Sequence, residues 1–278
     1  MKFKLMKITG IDDALMSLKM SKRHWDYIEH IDTIAQINKF TDQYGRIVPS
    51  DDESGYLDLC VSLDKLAKWG AGVGHGKAYV GDGHETILRF IDVTFVTVGL
   101  HRGAQDDLDA HAVRFNNRIV RSSTRLAKFS NGEKSDWYKD KILTIEEAMK
   151  ITGEELPEVI VDDTGVSWVY ATNGYVRADL VKNFDVLRGN YPLSIPSTAI
   201  WKINFQDLRH VYMRRNAKTS AAPELREGIE QLADQIEKWI PGDLGKLIRY
   251  DYAKVGEDKY DLVHIHDIQK VYNPRDSK

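Results

Sequence analysis

One cysteine, Cys60, stands in the 278 residues, so no intramolecular disulfide can form, and the chain fits a reducing compartment. No apolar run approaches the roughly 18 residues that a membrane span needs. The opening MKFKLMKITGIDD lacks a continuous apolar stretch of signal-peptide length. A soluble, cytoplasmic protein with no membrane partner is therefore expected. Charge of one sign is missing too: 39 Lys and Arg stand against 42 Asp and Glu, a net charge of −3. Without a global basic field, a nucleic-acid polymer is not expected as partner, and any anion site has to be local.

Two phosphate-binding motifs are absent where glycine is most concentrated, in GAGVGHGKAYVGDGH at 70–84. A Walker loop reads G-x-x-x-x-G-K-[ST]. Here Gly76-Lys77 is followed by Ala78, and Ala71 stands where the first glycine must be. A dinucleotide fingerprint, G-x-G-x-x-G, fails because Gly70 and Gly72 are followed by His75. The cluster reads as a mobile loop, since glycine takes positive φ cheaply. Metal-ligand spacing is also lacking. His264 and His266 sit two apart on an expected strand, with no carboxylate or cysteine at ligand spacing, so no metal site is expected.

What is present suits a globular protein: 42% apolar and 29% charged residues, in a chain long enough for one large domain or two small ones. Residues 1–10 alternate apolar and charged, which predicts a strand, and Asp12–Met20 follows as a helix capped by Asp12 or Asp13. Residues 40–56 are polar and turn-rich. Leu57–Trp69 reads as a helix with Leu59, Leu63 and Leu66 inward. Residues 84–98 also read as helical, because Leu88, Ile91, Phe95 and Val98 recur at helical spacing, and residues 109–128 read as a further helix. Strands are expected at Glu158–Val161, Ser167–Ala171 and Leu262–Ile268, and helices at Asn204–Arg215 and Glu224–Ile240, the latter stopped by Pro241-Gly242.

Three segments could carry chemistry. In RFNNRIVRSSTR, Arg114, Arg118, Arg121 and Arg125 would line one face of a helix. Like charges so placed repel by about 0.2–0.5 kcal/mol per pair, and arginine forks suit phosphate. The segment by itself fits an anion-binding face and a solvated face paired with carboxylates equally well. GHET at 83–86 stands at a helix mouth, where free N–H groups could meet an anion or where Thr86 or His84 could simply cap the first turn. In NFQDLRHVYMRR, Asn204, Leu208 and Arg215 share a helical face, with His210 close to it.

Taken in order, these segments resemble the flavin-dependent thymidylate synthases over roughly residues 57–240. The family has Gly-His-Glu-Ser/Thr before an element containing Thr-Phe; here GHETILRFIDVTF spans 83–95. It has an Arg-His-Arg signature closed by Ser-x-Arg; here Ser123-Thr124-Arg125 matches the second half. Arg188, Pro192-Leu193, Trp201 and Asn204 match its third block, and Leu208, His210, Arg215 and AAPELR at 221–226 its fourth. The resemblance implies an α+β fold, with a mixed or antiparallel sheet and long helices. It implies one domain over 1–250 with an insertion at about 131–187, and a charged extension over 251–278. It also implies a homotetramer whose sites are built from several subunits, and methylation of deoxyuridylate (dUMP) to thymidylate with FAD, NADPH and 5,10-methylenetetrahydrofolate.

Residue by residue, the resemblance gives Ser123, Thr124, Arg125, Arg188 and Arg215 to the nucleotide, with Arg215 and Ser123 closest to the chemistry. It gives His84, Thr86, Asn204 and His210 to the flavin, and Arg114 and Arg118 as the cations available there. The flavin route needs no cysteine nucleophile, and Cys60 lies in LDLCVSLD, on an expected buried helix face. The chain departs from the family at several points. Counting back from Ser123 puts Val113-Arg114-Phe115 where Arg-His-Arg belongs, leaving Arg118 or Arg121 to replace the lost charges. Gln206 stands for a flavin-binding Arg, and Phe90 for a frequent His. GAQDDLDA at 103–110 reads as an insertion of about four residues before the signature. These departures fall on the flavin side, which leaves two alternatives open beside thymidylate synthesis: modification of another pyrimidine nucleotide, or nucleotide binding without catalysis.

Overall fold

Alternation of lysine with apolar residues in KFKLMKIT makes a strand with one dry and one wet face. The computed structural model, which describes residues 1–21, 34–71, 85–112, 118–121, 139–171, 174–182, 196–215, 222–255 and 260–269, has this strand as β1, Lys2–Thr9. There follow α1 (Ile11–Ser21), α2 (Glu53–Gly70), a 3-10 helix (Glu85–Phe90), β2 (Asp92–His101), α3 (Arg102–Ala112) and β3 (Arg118–Arg121). A second group comprises β4 (Ile142–Thr144), α4 (Ile145–Thr152), β5 (Val159–Val161), β6 (Ser167–Tyr170) and β7 (Gly174–Arg177). The chain then returns through β8 (Pro196–Asn204), α5 (Phe205–Arg215), α6 (Pro223–Trp239), α7 (Gly242–Lys246), β9 (Tyr250–Lys254), β10 (Tyr260–His264) and α8 (Ile265–Gln269).

The main sheet has the order β1-β2-β8-β3, antiparallel throughout. Its dry face carries Phe3, Leu5 and Ile8 from β1, Val93 and Phe95 from β2, and Ala199, Trp201 and Ile203 from β8. Phe3 stacks on Phe95 at 5.8 Å, and Phe95 on Trp201 at 6.2 Å and 8°. This aromatic ladder crosses three strands, each pair adding roughly 0.5–1.5 kcal/mol beyond area burial. The Trp201 indole N–H donates to Thr97 Oγ1 at 3.0 Å, so the ladder leaves that donor satisfied. Helix α6 packs along β1 through Leu225, Ile229, Leu232 and Ile236. Gln231 Oε1 accepts from Phe3 N–H, Gln235 Oε1 accepts from Leu5 N–H, and Gln235 Nε2 donates to the Phe3 carbonyl. Two side-chain amides thus occupy the sheet edge that a free strand would expose. Gly228 permits the approach, since a Cβ there would stand 2.3 Å from a Phe3 ring carbon.

Two expectations are corrected here. Residues 84–98 are not one helix: a 3-10 helix ends at Phe90, and a strand begins at Asp92. Leu88, Ile91 and Phe95 are buried as expected, but Val98 is 46% exposed on the wet face. The β-branched run in DVTFVTVGL alternates, and burial of Val93, Phe95 and Thr97 at period two outweighs the helical spacing. Residues 109–128 are not one helix either. Helix α3 ends at Ala112, and residues 118–121 form the edge strand β3. Arg118 pairs with Lys202 and Arg121 with Ala199. Their odd spacing puts these two positions on opposite faces of the sheet, not on the one helical face expected of them. The stretch read as an insertion, GAQDDLDA, lies within α3 and enters the core through Ala104, Gln105 and Leu108.

Helix α2 buries Leu59, Leu63 and Leu66 as the periodicity requires, with Asp52 Oδ1 accepting from Gly55 N–H at its start. Cys60 is half-buried rather than buried, and desolvation pushes its thiol pKa up. The tail joins the main core through Tyr252 and Ile265. Its expected strand stops at His264, and His266 lies in α8, so the two histidines do not share a strand face. Their rings meet nonetheless, 4.6 Å apart beside Tyr212. Among the described residues no helix is long and apolar enough to cross a membrane, and no three metal-ligating side chains cluster.

The region over 142–177 folds as a separate antiparallel sheet, β4-β7-β6-β5. It has its own apolar clusters, Ile142 with Val176, and Ala148 with Ile160, Trp168 and Tyr175. Its β5–β6 turn is organised by Asp162. That carboxylate accepts from the Thr164 hydroxyl (2.7 Å), the Trp168 indole (2.8 Å), and the N–H groups of Val166 and Thr164. These donors, the Thr164 hydroxyl foremost, lower its pKa from 3.8 to about 2. A depressed carboxyl pKa contributes stability above the unfolded value that is lost as pH falls through the folded one. The stability gap between wild type and Asp162→Asn should therefore be full at about pH 5 and narrow toward about pH 2. Urea unfolding followed by tryptophan fluorescence at each pH reads it, and a gap independent of pH would contradict the assignment.

Candidate functional site

The junction between β8 and α5 carries Asn204 of the third motif block, with His210 of the fourth on the helix that follows. Asn204 ends β8 and caps α5: its Oδ1 accepts from Asp207 N–H (2.9 Å), while its Nδ2 donates to Asp207 Oδ2 (2.8 Å). A cap that both accepts and donates fixes where the helix begins. Phe205 N–H donates to the Ile91 carbonyl at 2.7 Å, which ties that start to the residue between the 3-10 helix and β2. The GHET segment and the Asn204 helix, far apart in sequence, thereby become neighbours.

Helix α5 turns Phe205, Leu208, Val211 and Tyr212 into the core, and Arg209 goes with them at 1% exposure. An isolated buried charge costs far too much to persist, so it must be paired. Arg209 Nη1 donates to Glu85 Oε1 at 3.0 Å, and Nη2 forms an ion pair with Asp251 Oδ2 at 2.5 Å. Asp251 is itself 1% exposed. Burial pushes its carboxyl pKa up, while Arg209 and the Tyr252 N–H pull it back. Glu85 divides its oxygens, since Oε2 accepts from Gln206 Nε2 at 3.0 Å. Gln206 Oε1 accepts in turn from Arg89 Nε at 2.5 Å. The chain Arg89–Gln206–Glu85–Arg209–Asp251 thus links the 3-10 helix, α5 and β9. Arg89 is the exposed end of this chain.

The structure brings some expected site residues to this junction. Thr86 is exposed on the 3-10 helix, Asn204 is the buried cap, and His210 is half-buried on α5. Arg215 lies away from the junction, at the far end of α5, and Arg118 opens β3. His84, Arg114, Ser123, Thr124, Arg125 and Arg188 lie outside the described residues. Sequence reasoning missed Glu85, Arg209 and Asp251. Only Arg209 gave a signal, a charge on the face defined by Phe205, Leu208 and Tyr212. A second buried pair was missed as well. His101 Nδ1 accepts from Ala104 N–H (3.1 Å), so its proton lies on Nε2, 3.3 Å from Glu224 Oε2. Glu224, from the AAPELR block, is fully buried in the first turn of α6, where the helix dipole favours a carboxylate.

Fold and junction together define an antiparallel α+β protein with a charged site where a central strand passes into a helix. Residues 66–242, more than half of the chain, match the family model of thymidylate synthase complementing protein. The chain belongs to that family, the flavin-dependent thymidylate synthases. No curated protein matches it. Among solved structures, one of thymidylate synthase X from Helicobacter pylori with FAD and dUMP is 15% identical. The match covers 89% of this chain and 97% of that one, with a TM-score of 0.42. A second structure of the same Helicobacter pylori enzyme, complexed with FAD and dUMP, is 14% identical, with coverage of 86% and 97% and a TM-score of 0.44.

Two substitutions separate the roles at this junction. Arg209→Met leaves Asp251 buried without its cation and should cost about 3–5 kcal/mol. Asn204→Ala removes a cap and should cost about 1 kcal/mol. Thermal unfolding of the two variants should preserve that order, and an Arg209→Met protein as stable as wild type would show that the ion pair carries no net weight.

Proposed function

We propose that the protein binds dUMP and a flavin and methylates uracil C5 to give thymidylate, with 5,10-methylenetetrahydrofolate as carbon donor and NADPH as reductant. The observation that carries this reading is the meeting of Glu85 of GHET, beside Thr86, with Gln206 at the start of α5, beside the Asn204 cap, within a chain of this family. The residues present suit FAD. Arg89, exposed on the 3-10 helix with Thr86, donates to half-buried Gln206 at the start of α5, and a guanidinium beside an amide and a hydroxyl suits phosphate and ring carbonyls. FAD, when bound, would supply the hydride that reduces the transferred carbon to a methyl group.

The protein's part is positioning and fixed positive charge. Arg215 would polarise the uracil ring, while Ser123, Thr124, Arg125 and Arg188 would hold the nucleotide; preorganised charge of this kind is often the largest catalytic contribution. His84, Thr86, Asn204 and His210 would line the flavin side, with Arg114 and Arg118 as nearby cations. Cys60 takes no part, since a half-buried thiol with a raised pKa is a weak nucleophile at neutral pH. A homotetramer in the cytoplasm completes the proposal.

The first test is the visible absorbance of the purified protein before and after FAD is added and the excess removed. A retained flavin spectrum, followed by tritium release from labelled dUMP that requires folate and reductant, is the expected result. Arg125→Ala and Arg215→Ala should each abolish turnover and weaken dUMP binding by calorimetry. Unchanged dUMP affinity in both variants would overturn the residue assignment. A colourless protein whose melting temperature rises with dUMP would instead mark a nucleotide-binding relative without this catalysis.

A further inference from the structure

The family match ends at residue 242, and Asp251 lies beyond it, in β9. This hairpin has a firm base on α6. Arg249, at its foot, pairs with Asp234 and Glu237 at 2.8 Å each. The Ile265 N–H donates to the Arg249 carbonyl at 2.9 Å, and the Tyr252 hydroxyl donates to Asp243. From that base the hairpin reaches α5 twice. Asp251 holds Arg209 from one side, while Glu85 holds it from the other. One turn further on, the Tyr212 hydroxyl donates to Glu230 at 2.6 Å and stands 3.3 Å from His264 Nε2. Arg209 is therefore a rigid strut. Its planar guanidinium spans a buried carboxylate, Asp251, and a partly exposed one, Glu85, and a shift of either one must draw the other with it or leave a charge unpaired.

We propose that Asp251 and Arg209 are positioning residues, through which the C-terminal β9–β10 hairpin sets the placement of the start of α5 and of the 3-10 helix that carries Thr86. The proposal rests on the reading of that junction as the flavin side of the site. Gln206 donates to Glu85, and Thr86 and His210 follow Glu85 and Arg209 directly in the chain, so the hairpin governs flavin affinity through the strut.

A merely stabilising ion pair and a positioning strut differ in where their loss is felt. Full-length Asp251→Asn is compared by hydrogen-exchange mass spectrometry with wild type. A second comparison is Leu63→Ala, a core variant in α2, a helix that carries neither carboxylate partner of Arg209. The expected result is exchange about tenfold faster in residues 85–91 and 205–209 of Asp251→Asn than in Leu63→Ala at equal loss of melting temperature. Coupling is reciprocal, so Glu85→Gln, altered at the opposite end, should speed exchange in residues 250–254. It also provides the test if Asp251→Asn does not fold. Changes confined to the substituted element, or equal to those of Leu63→Ala, would overturn the strut. With flavin, Asp251→Asn should raise the FAD dissociation constant about tenfold and leave that for dUMP within about twofold. An unchanged FAD constant would overturn the positioning role. A wild-type protein that binds no FAD would overturn the flavin reading instead, while hydrogen exchange still decides the strut.

Discussion

A guanidinium taken out of water has to be met by carboxylates, and Arg209 is met from two directions. Its place on the apolar face of α5 means that the helix cannot dock on the sheet until Glu85 and Asp251 are both in position. Those two residues come from distant parts of the chain. The 3-10 helix precedes β2, and β9 follows the last long helix. Burial of one cation therefore imposes an order on three elements that apolar packing alone would leave free to slide. The aromatic ladder of Phe3, Phe95 and Trp201 fixes the sheet on which this happens, and the α6 glutamines close its β1 edge. Hydrophobic burial supplies the bulk of the stability; the ion pairs determine the register in which it is collected.

The parts of the fold legible in sequence are those where one period stands alone. Helices α2 and α6 place leucines and isoleucines at helical spacing with nothing competing, and burial follows that spacing. Residues 84–98 carry two periods at once. Leu88, Ile91, Phe95 and Val98 satisfy a helix, and Val93, Phe95 and Thr97 satisfy a strand. The second pattern prevails because β2 is a central strand, paired on both sides, and its β-branched residues suit that position. In 109–128 the arginine spacing suggested a helical face, but charge spacing has no folding force comparable with the pairing of β3 on β8.

The site was legible as a set of segments and not as a network. Asn204 and His210 were singled out because they sit in a recognisable order at the end of one strand and on the helix that follows. Glu85 was passed over inside GHET, between two residues to which the resemblance gives roles. Asp251 lay in a tail that read only as charged. Partners far apart in the chain leave no local trace in one sequence. What can be read locally is the anomaly: an arginine within an apolar stripe demands a carboxylate somewhere, even when the sequence does not say where.

That demand also accounts for Gln206. The resemblance expects an arginine there, which would place a second cation one helical turn's edge from Arg209 and in competition for Glu85. With glutamine, Glu85 can give one oxygen to a neutral amide and the other wholly to Arg209. The amide then turns its own oxygen outward to Arg89, so positive charge returns to the junction from the exposed 3-10 helix rather than from α5. The change at 206 and the buried cation at 209 are thus two halves of one arrangement. Reinstating an arginine at 206 without removing the one at 209 would set two guanidinium groups against a single carboxylate. The departure from the family pattern at 206 therefore fits how this chain anchors its helix, and a cation remains at the junction, supplied by Arg89.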